Sequence, residues 1–135
     1  MTHMIDHLGI AVKSLEQARK FYEELGLSVV GEEVVAHEKV KVAMIPVGES
    51  RIELLEPTSP DSVISKFLDK RGEGLHHVAI QVENLVNTVE TLKANGTRFV
   101  SEEIKIGAGG HLYVFVHPSS AGGVLLELVQ EQPGM

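Results

Sequence analysis

The sequence predicts an α+β protein built from two tandem β-α-β-β-β modules, and three observations carry that prediction. First, Ile5-Asp6-His7-Leu8-Gly9-Ile10-Ala11-Val12 returns as Leu75-His76-His77-Val78-Ala79-Ile80-Gln81-Val82, and the same spacing carries Leu15 onto Leu85 and Gly26 onto Gly96. Second, each copy opens with an apolar, alternating strand pattern that runs into a capped helical pattern. Third, each copy closes on an apolar run holding one acid, Arg51-Ile52-Glu53-Leu54-Leu55 and Leu125-Leu126-Glu127-Leu128-Val129. Self-similarity at fixed spacing means that one supersecondary unit is used twice, and such units bury their apolar faces together rather than alone.

The elements follow in order. Residues 5–13 alternate and are rich in Ile, Val and Leu, which predicts a strand. Ser14-Leu15-Glu16-Gln17 fits a capping box, with Ser14 as N-cap and Gln17 at the third helical position. Leu15, Ala18, Phe21, Tyr22 and Leu25 keep helical spacing, and Gly26 supplies the stop. Residues 28–36, 39–47 and 50–56 read as strands, the last two joined by the turn Gly48-Glu49-Ser50. Pro57 ends this first module, about 5–56. Pro60-Asp61-Ser62 opens a linker helix, about 60–71, and Gly72-Glu73-Gly74 leads out of it. The second module, about 75–130, repeats the order: a strand over 75–83, a helix from the Asn84 cap to Asn95-Gly96, then strands near 97–106, 111–117 and 122–130. Residues 1–135 read as a single domain. Helices cover one face of each sheet, so two modules side by side would form an open half-barrel trough with an apolar wall and a polar mouth.

Composition narrows the chemistry. A chain of 135 residues can form a core without staples. It holds no cysteine, which excludes disulfides, thiolate metal sites and cysteine nucleophiles. The formal charge of −7 argues against nucleic acid as partner, because phosphate binding needs a basic surface or stripe. The apolar runs are short and interrupted, so neither a signal peptide nor a membrane span is expected, and a cytoplasmic setting follows. Gly107-Ala108-Gly109-Gly110 lacks the Lys-Ser/Thr and the strand-to-helix context of a phosphate-binding loop. It reads better as a mobile loop at the rim of the trough.

Strand parity gathers the reactive groups. Residues of equal parity share a face, so His7 lies with Gly9 and Ala11, and His77 with Ala79 and Gln81. Small neighbours leave room above both imidazoles. Glu53 and Glu127 each sit in the middle of an apolar strand, where a carboxylate is costly unless paired, protonated or metal-bound. Two imidazoles and two carboxylates suit a divalent cation with positions left open for water or substrate; Co, Ni, Mn, Fe and Zn all accept such a set. Without thiolates, a catalytic centre fits better than a structural zinc site. Of the other histidines, His76 faces opposite to His77 and suits packing, His37 lies in a turn, and His117 precedes Pro118. His111, beside the glycine loop, is the best further ligand contact. Lys39, Lys41, Arg51, Lys66, Lys70, Arg71 and Lys105 are the candidates for meeting a phosphate. Arg51 shares a face with Glu53 and could orient it or meet a ligand carboxylate.

Further segments carry a resemblance: Glu53-Leu54-Leu55-Glu56-Pro57, Asp61-Ser62-Val63-Ile64-Ser65-Lys66-Phe67-Leu68, Gly74-Leu75-His76-His77, Lys105-Ile106-Gly107-Ala108-Gly109-Gly110, His117-Pro118 and Gly122-Gly123-Val124-Leu125-Leu126-Glu127-Leu128. With the opening strand they resemble the vicinal oxygen chelate, or glyoxalase, superfamily and, within it, the methylmalonyl-CoA epimerase family. The resemblance implies paired β-α-β-β-β modules forming a half-barrel around a metal held by His7, Glu53, His77 and Glu127. It implies a divalent ion, Co2+ first, with Ni2+, Mn2+, Zn2+ or Fe2+ as substitutes. Some members carry glutamine at the Glu53 position, so that place tolerates a neutral oxygen donor. The implied reaction interconverts (R)- and (S)-methylmalonyl-CoA by α-proton abstraction through a metal-stabilised enolate. Glu127 is the first choice for the proton-transfer carboxylate and Glu53 the second. Certain bacterial members carry a glutamate assigned as a proton-transfer base where this chain has Val42, so the second base has to come from elsewhere. A CoA thioester substrate, no nucleic acid or membrane partner, and a homodimer complete what the resemblance implies.

Three other functions fit parts of the pattern. A lactoylglutathione lyase can use the same ligand set, an Fe(II) extradiol dioxygenase would need only three protein ligands, and a metal-free small-molecule binding protein could share the fold.

Overall fold

A computed structural model describes residues 3–131, so both ends of the expected 1–135 domain lie outside the described residues. The chain forms two units: one spans His7–His76, and the other combines the residues up to Asp6 with those from His77 onward. Strand β1 (Met4–Ala11) starts in the latter and runs into the former.

The His7–His76 unit continues with α1 (Leu15–Glu24), β2 (Gly31–Val35), β3 (Val40–Val47), β4 (Ser50–Pro57) and α2 (Val63–Arg71). Its strands stand in the order β2-β3-β4-β1. The β4-β1 pair is parallel and the other two are antiparallel. The helix opens where the capping box predicts, with the Ser14 hydroxyl accepting from Gln17 N. It closes in a Schellman motif, in which Gly26 N bonds Glu23 O and Leu27 N bonds Tyr22 O, with Gly26 at φ +101°. The β3-β4 hairpin turns on two residues, with Gly48 first at φ +59°, a backbone angle that matches the strand twist and favours glycine. The apolar face packs on α1: Val12, Leu15, Ala43, Ile45 and Leu54 are buried, with Ile10, Ala18, Tyr22 and Ile52 against them.

The second unit repeats this with β5 (Gly74–Gln81), which starts in the His7–His76 unit, and with α3 (Leu85–Ala94), β6 (Lys105–Ile106), β7 (Leu112–Val116) and β8 (Leu126–Gln130). Their order is β5-β8-β7-β6, and β5-β8 is again the parallel pair. Asn84 caps α3 by accepting from Asn87 N, and Gly96 closes it in the same Schellman pattern as Gly26. Val82, Leu85, Val89, Val114, Val116 and Leu128 form the core beneath α3. The mixed α+β architecture of two β-α-β-β-β modules is therefore observed.

Three expected strands are shorter than the sequence pattern suggests. Over 28–36 only Gly31–Val35 is strand, because Leu27 and Val29 turn into the α1 core instead. Over 97–106 only Lys105–Ile106 remains, with an isolated bridge from Phe99 to Val116. Here the Ser101 hydroxyl captures Glu103 N and bends the chain off the sheet. Over 122–130 the strand starts at Leu126, since Gly122 and Gly123 take left-handed angles of +66° and +87°. Among the described residues no helix is long and apolar enough to cross a membrane.

Candidate metal centre

The parallel strand pair at the heart of each module positions one histidine and one glutamate. On the first, Gly9 stands opposite Glu53 and His7 opposite Arg51. His7 Nε2 lies 3.4 Å from Glu53 Oε1. On the second, Ala79 stands opposite Glu127, and His77 Nε2 lies 3.0 Å from Glu127 Oε1. All four side chains are buried: His7 is 4 % exposed, Glu53 5 %, His77 6 % and Glu127 7 %. Each pair belongs to the buried donor groups able to hold a metal ion.

The spacing within each pair fits that role. Two donors each about 2.0–2.2 Å from one ion, at tetrahedral or octahedral angles, stand about 3.0–3.5 Å apart. Observed separations of 3.4 and 3.0 Å match, and nitrogen and oxygen donors without thiolate suit a divalent catalytic ion.

The supports differ between the modules. Arg51 Nε donates to Glu53 Oε2 at 2.8 Å, which is the first of the two contacts its place on that face allows. His77 instead rests edge-on against Phe115, with ring centroids 5.3 Å apart, and Phe115 lies across from Glu127 in the ladder. Ala79, Tyr113 and Val129 complete that apolar wall.

Of the remaining histidines, His76, His37 and His117 sit as their sequence context suggests. His76 packs edge-on against Phe67 at 5.0 Å, and His37 sits in a 3-10 turn. His117 caps the turn that Pro118 opens, its Nδ1 accepting from Ser119 N. His111 lies half-buried against the Gly109 backbone. Of the basic candidates, Lys39 is paired with Asp61 and Lys41 with Glu32.

Two acids escape the sequence reading. Asp6 is 5 % exposed, although it reads as an ordinary polar residue of an alternating strand. Glu33 pairs with Val42. Its neighbour Glu32 bonds Arg19 on α1, so Glu33 points away from α1, to the face that carries Val42, Met44 and Glu53. Only the β2-β3 register reveals this, and nothing in the sequence fixes that register. Val42 itself is 3 % exposed.

The chain belongs to the Glyoxalase/Bleomycin resistance protein/Dioxygenase superfamily, whose family model matches residues 6–115. Within that superfamily its similarity runs to methylmalonyl-CoA epimerases over nearly the whole chain. It is 44% identical over 128 residues to the mitochondrial methylmalonyl-CoA epimerase of Bos taurus, covering 93% of this chain and 73% of that protein. The crystal structure of methylmalonyl-CoA epimerase from Mycobacterium tuberculosis superposes with a TM-score of 0.92 at 39% identity, over 96% of this chain and 88% of the other. A methylmalonyl-CoA epimerase in complex with methylmalonyl-CoA and NH4+ gives a TM-score of 0.92 at 35% identity, over 97% and 96% of the two chains.

Proposed function

We propose that this chain is a metal-dependent methylmalonyl-CoA epimerase whose His7, Glu53, His77 and Glu127 hold one divalent ion between them. The observation that carries this reading is the repeated buried His–Glu pair, each at metal-donor spacing, in a chain similar end to end to epimerases. Cobalt is the first ion to test, since nitrogen–oxygen donor sets do not select among Co, Ni, Mn, Zn and Fe. By analogy with the family, the enzyme works as a cytoplasmic homodimer on a CoA thioester.

A bound divalent ion supplies a Lewis acid for the thioester oxygen, where negative charge develops as the α-proton leaves. Everything else is the work of side chains. Glu127 removes or returns the α-proton on one face, and the apolar wall of Ala79, Tyr113, Phe115 and Val129 keeps water from competing. Inversion needs a second proton carrier on the opposite face. Glu33, on the face that carries Val42, Met44 and Glu53, takes that role directly or through a water.

A single epimer of methylmalonyl-CoA incubated in D2O tests this. Wild type should exchange the α-proton and invert the centre, and chelation should stop both. Glu127→Gln should lose exchange from one epimer, and Glu33→Gln should retain that exchange while losing inversion. Turnover of the methylglyoxal–glutathione hemithioacetal without action on methylmalonyl-CoA would make the chain a lactoylglutathione lyase instead.

A further inference from the structure

Strand β2 lies at the end of the strand order, beside β3. Its ladder runs only from Gly31 to Val35, and a slip of one residue there would exchange its two faces. On the α1 face Glu32 is held at both oxygens. Oε2 accepts from Arg19 Nη1 at 2.8 Å, and Oε1 lies 3.3 Å from Lys41 Nζ. Arg19 reaches it from α1, and the other terminal nitrogen of that guanidinium donates to Glu23 Oε2 at 3.1 Å. Lys41 reaches it from β3, where it stands opposite Val34, two residues along from the Ala43 that faces Glu32. One carboxylate thereby ties a helix, an edge strand and an inner strand together, on the face turned away from Glu33.

The repeat shows the same segment without that tie. The spacing that carries Leu15 onto Leu85 and Gly26 onto Gly96 also carries Arg19 onto Val89, Glu32 onto Glu102 and Glu33 onto Glu103. Val89 is a buried core residue with no charge to offer. Glu102 keeps one ion pair, with Lys93, and its side chain is 90% exposed. The Ser101 hydroxyl takes Glu103 N, and strand begins only at Lys105. The two copies therefore differ together, at the cation on the helix and at the strand beside it. A single exposed ion pair adds little stability, so the effect of this clamp falls on which face each β2 residue takes rather than on the fold as a whole.

We propose that Arg19 is a positioning residue for proton transfer: by holding Glu32 on the helix side of β2, it keeps Glu33 on the ligand-bearing face, where inversion needs a second carrier. This rests on the assignment of Glu33 above, and it deepens that assignment by naming what aims the carboxylate.

The test is the single-epimer assay in D2O, run on the cobalt-loaded full chain. Variants are Arg19→Met, Arg19→Lys, Glu32→Gln, Glu33→Gln and the double variant Arg19→Met with Glu33→Gln. Displacing a reacting group by about 1 Å costs about a hundredfold in rate, and a loss of that order in inversion is expected of Arg19→Met. Exchange from the epimer that Glu127 serves should stay within about twofold of wild type, as distant, independent sites do. A merely structural role for Arg19 would lower both rates together. Glu32→Gln should show the same split. Arg19→Lys should recover most of the inversion, because an ammonium at that place still attracts the carboxylate. In the Glu33→Gln background Arg19→Met should cost no further inversion, since the group it places is gone. Unaltered inversion in Arg19→Met would show that Glu33 is held by its own contacts, and it overturns the proposal. An equal loss of exchange and inversion, or a further loss in the Glu33→Gln background, overturns it too. A Glu33→Gln protein that inverts at the wild-type rate would instead defeat the assignment of Glu33 itself.

Discussion

Removing the metal and then one donor decides whether His7, Glu53, His77 and Glu127 serve one ion or two. A ligand that binds only the folded state stabilises it by RT ln(1 + [L]/Kd), about 2.7 kcal/mol at a hundred times Kd. For a chain of this size about 3 °C accompanies each kcal/mol, so chelation should lower Tm by about 8 °C. His7→Ala deletes one of four donors while leaving the His77–Glu127 pair, with its own 3.0 Å spacing, untouched. With a shared ion, a loss of about a hundredfold in affinity brings the same cobalt concentration down to Kd. The stabilisation then falls to about 0.4 kcal/mol, a shift of about 1 °C. With separate ions, the second pair would keep its share of the shift in His7→Ala. Thermal melts of each protein with and without cobalt, beside metal analysis of the loaded protein, separate the cases. Two ions per chain, or a His7→Ala protein that keeps most of the cobalt-dependent shift, would refute the reasoning.

Two further predictions concern the scaffold. Leu54 is fully buried in the core beneath α1 and neighbours Glu53; Leu54→Ala should cost about 2–5 kcal/mol by denaturant unfolding, and a loss below 1 kcal/mol would mean the site collapses around the cavity. Asp61, at the start of the linker helix, is held down to about 2 from 3.8, first by the hydrogen bond from Lys39 and then by that from Ser59. A depressed carboxylate stabilises the fold above its unfolded pKa, and that contribution fades as pH falls from 3.8 toward about 2. Asp61→Asn should flatten the dependence of Tm on pH in that window, and an unchanged slope would show that the pair contributes nothing measurable.

What could be read from the sequence was local or repeated. The Ser14 and Asn84 caps are observed where they were expected, and Ser62 caps the helix that Pro60-Asp61-Ser62 was expected to open, since a cap is decided by a few adjacent residues. The His–Glu pairing within each module was legible because strand parity and the repeat agree. The broken segment over 97–106 was not, because Phe99, Val100 and Ile104 look like a strand until the Ser101 hydroxyl takes Glu103 N. Glu33 was missed for a different reason. Its alternation permits either face, and only pairing with Val42 and the bond from Arg19 to Glu32 choose between them. Arg51 lay between these cases: parity put it beside Glu53, but not the particular nitrogen and oxygen that meet.

The precision of the site depends on register, because a slip of one residue in a parallel pair would turn Glu53 or Glu127 to the helix face. Both modules guard against that slip with the same device. Three residues past each acid, a side-chain oxygen reaches across to the first turn of the helix that follows the histidine strand. Glu56 Oε1 accepts from Leu15 N at 2.8 Å, and Gln130 Oε1 accepts from Leu85 N at 2.7 Å. Beside it the backbone adds Val12 N to Leu55 O at 2.9 Å and Val82 N to Val129 O at 2.8 Å. Each bond satisfies a donor that a helix start would otherwise leave unpaired, so helix capping and strand register are one interaction. Glutamate in one module and glutamine in the other do this equally well, which shows that the oxygen rather than the charge is required. The acid strand is thereby hooked to the exit of the histidine strand, and the imidazole meets its carboxylate because the helix beyond it has been capped.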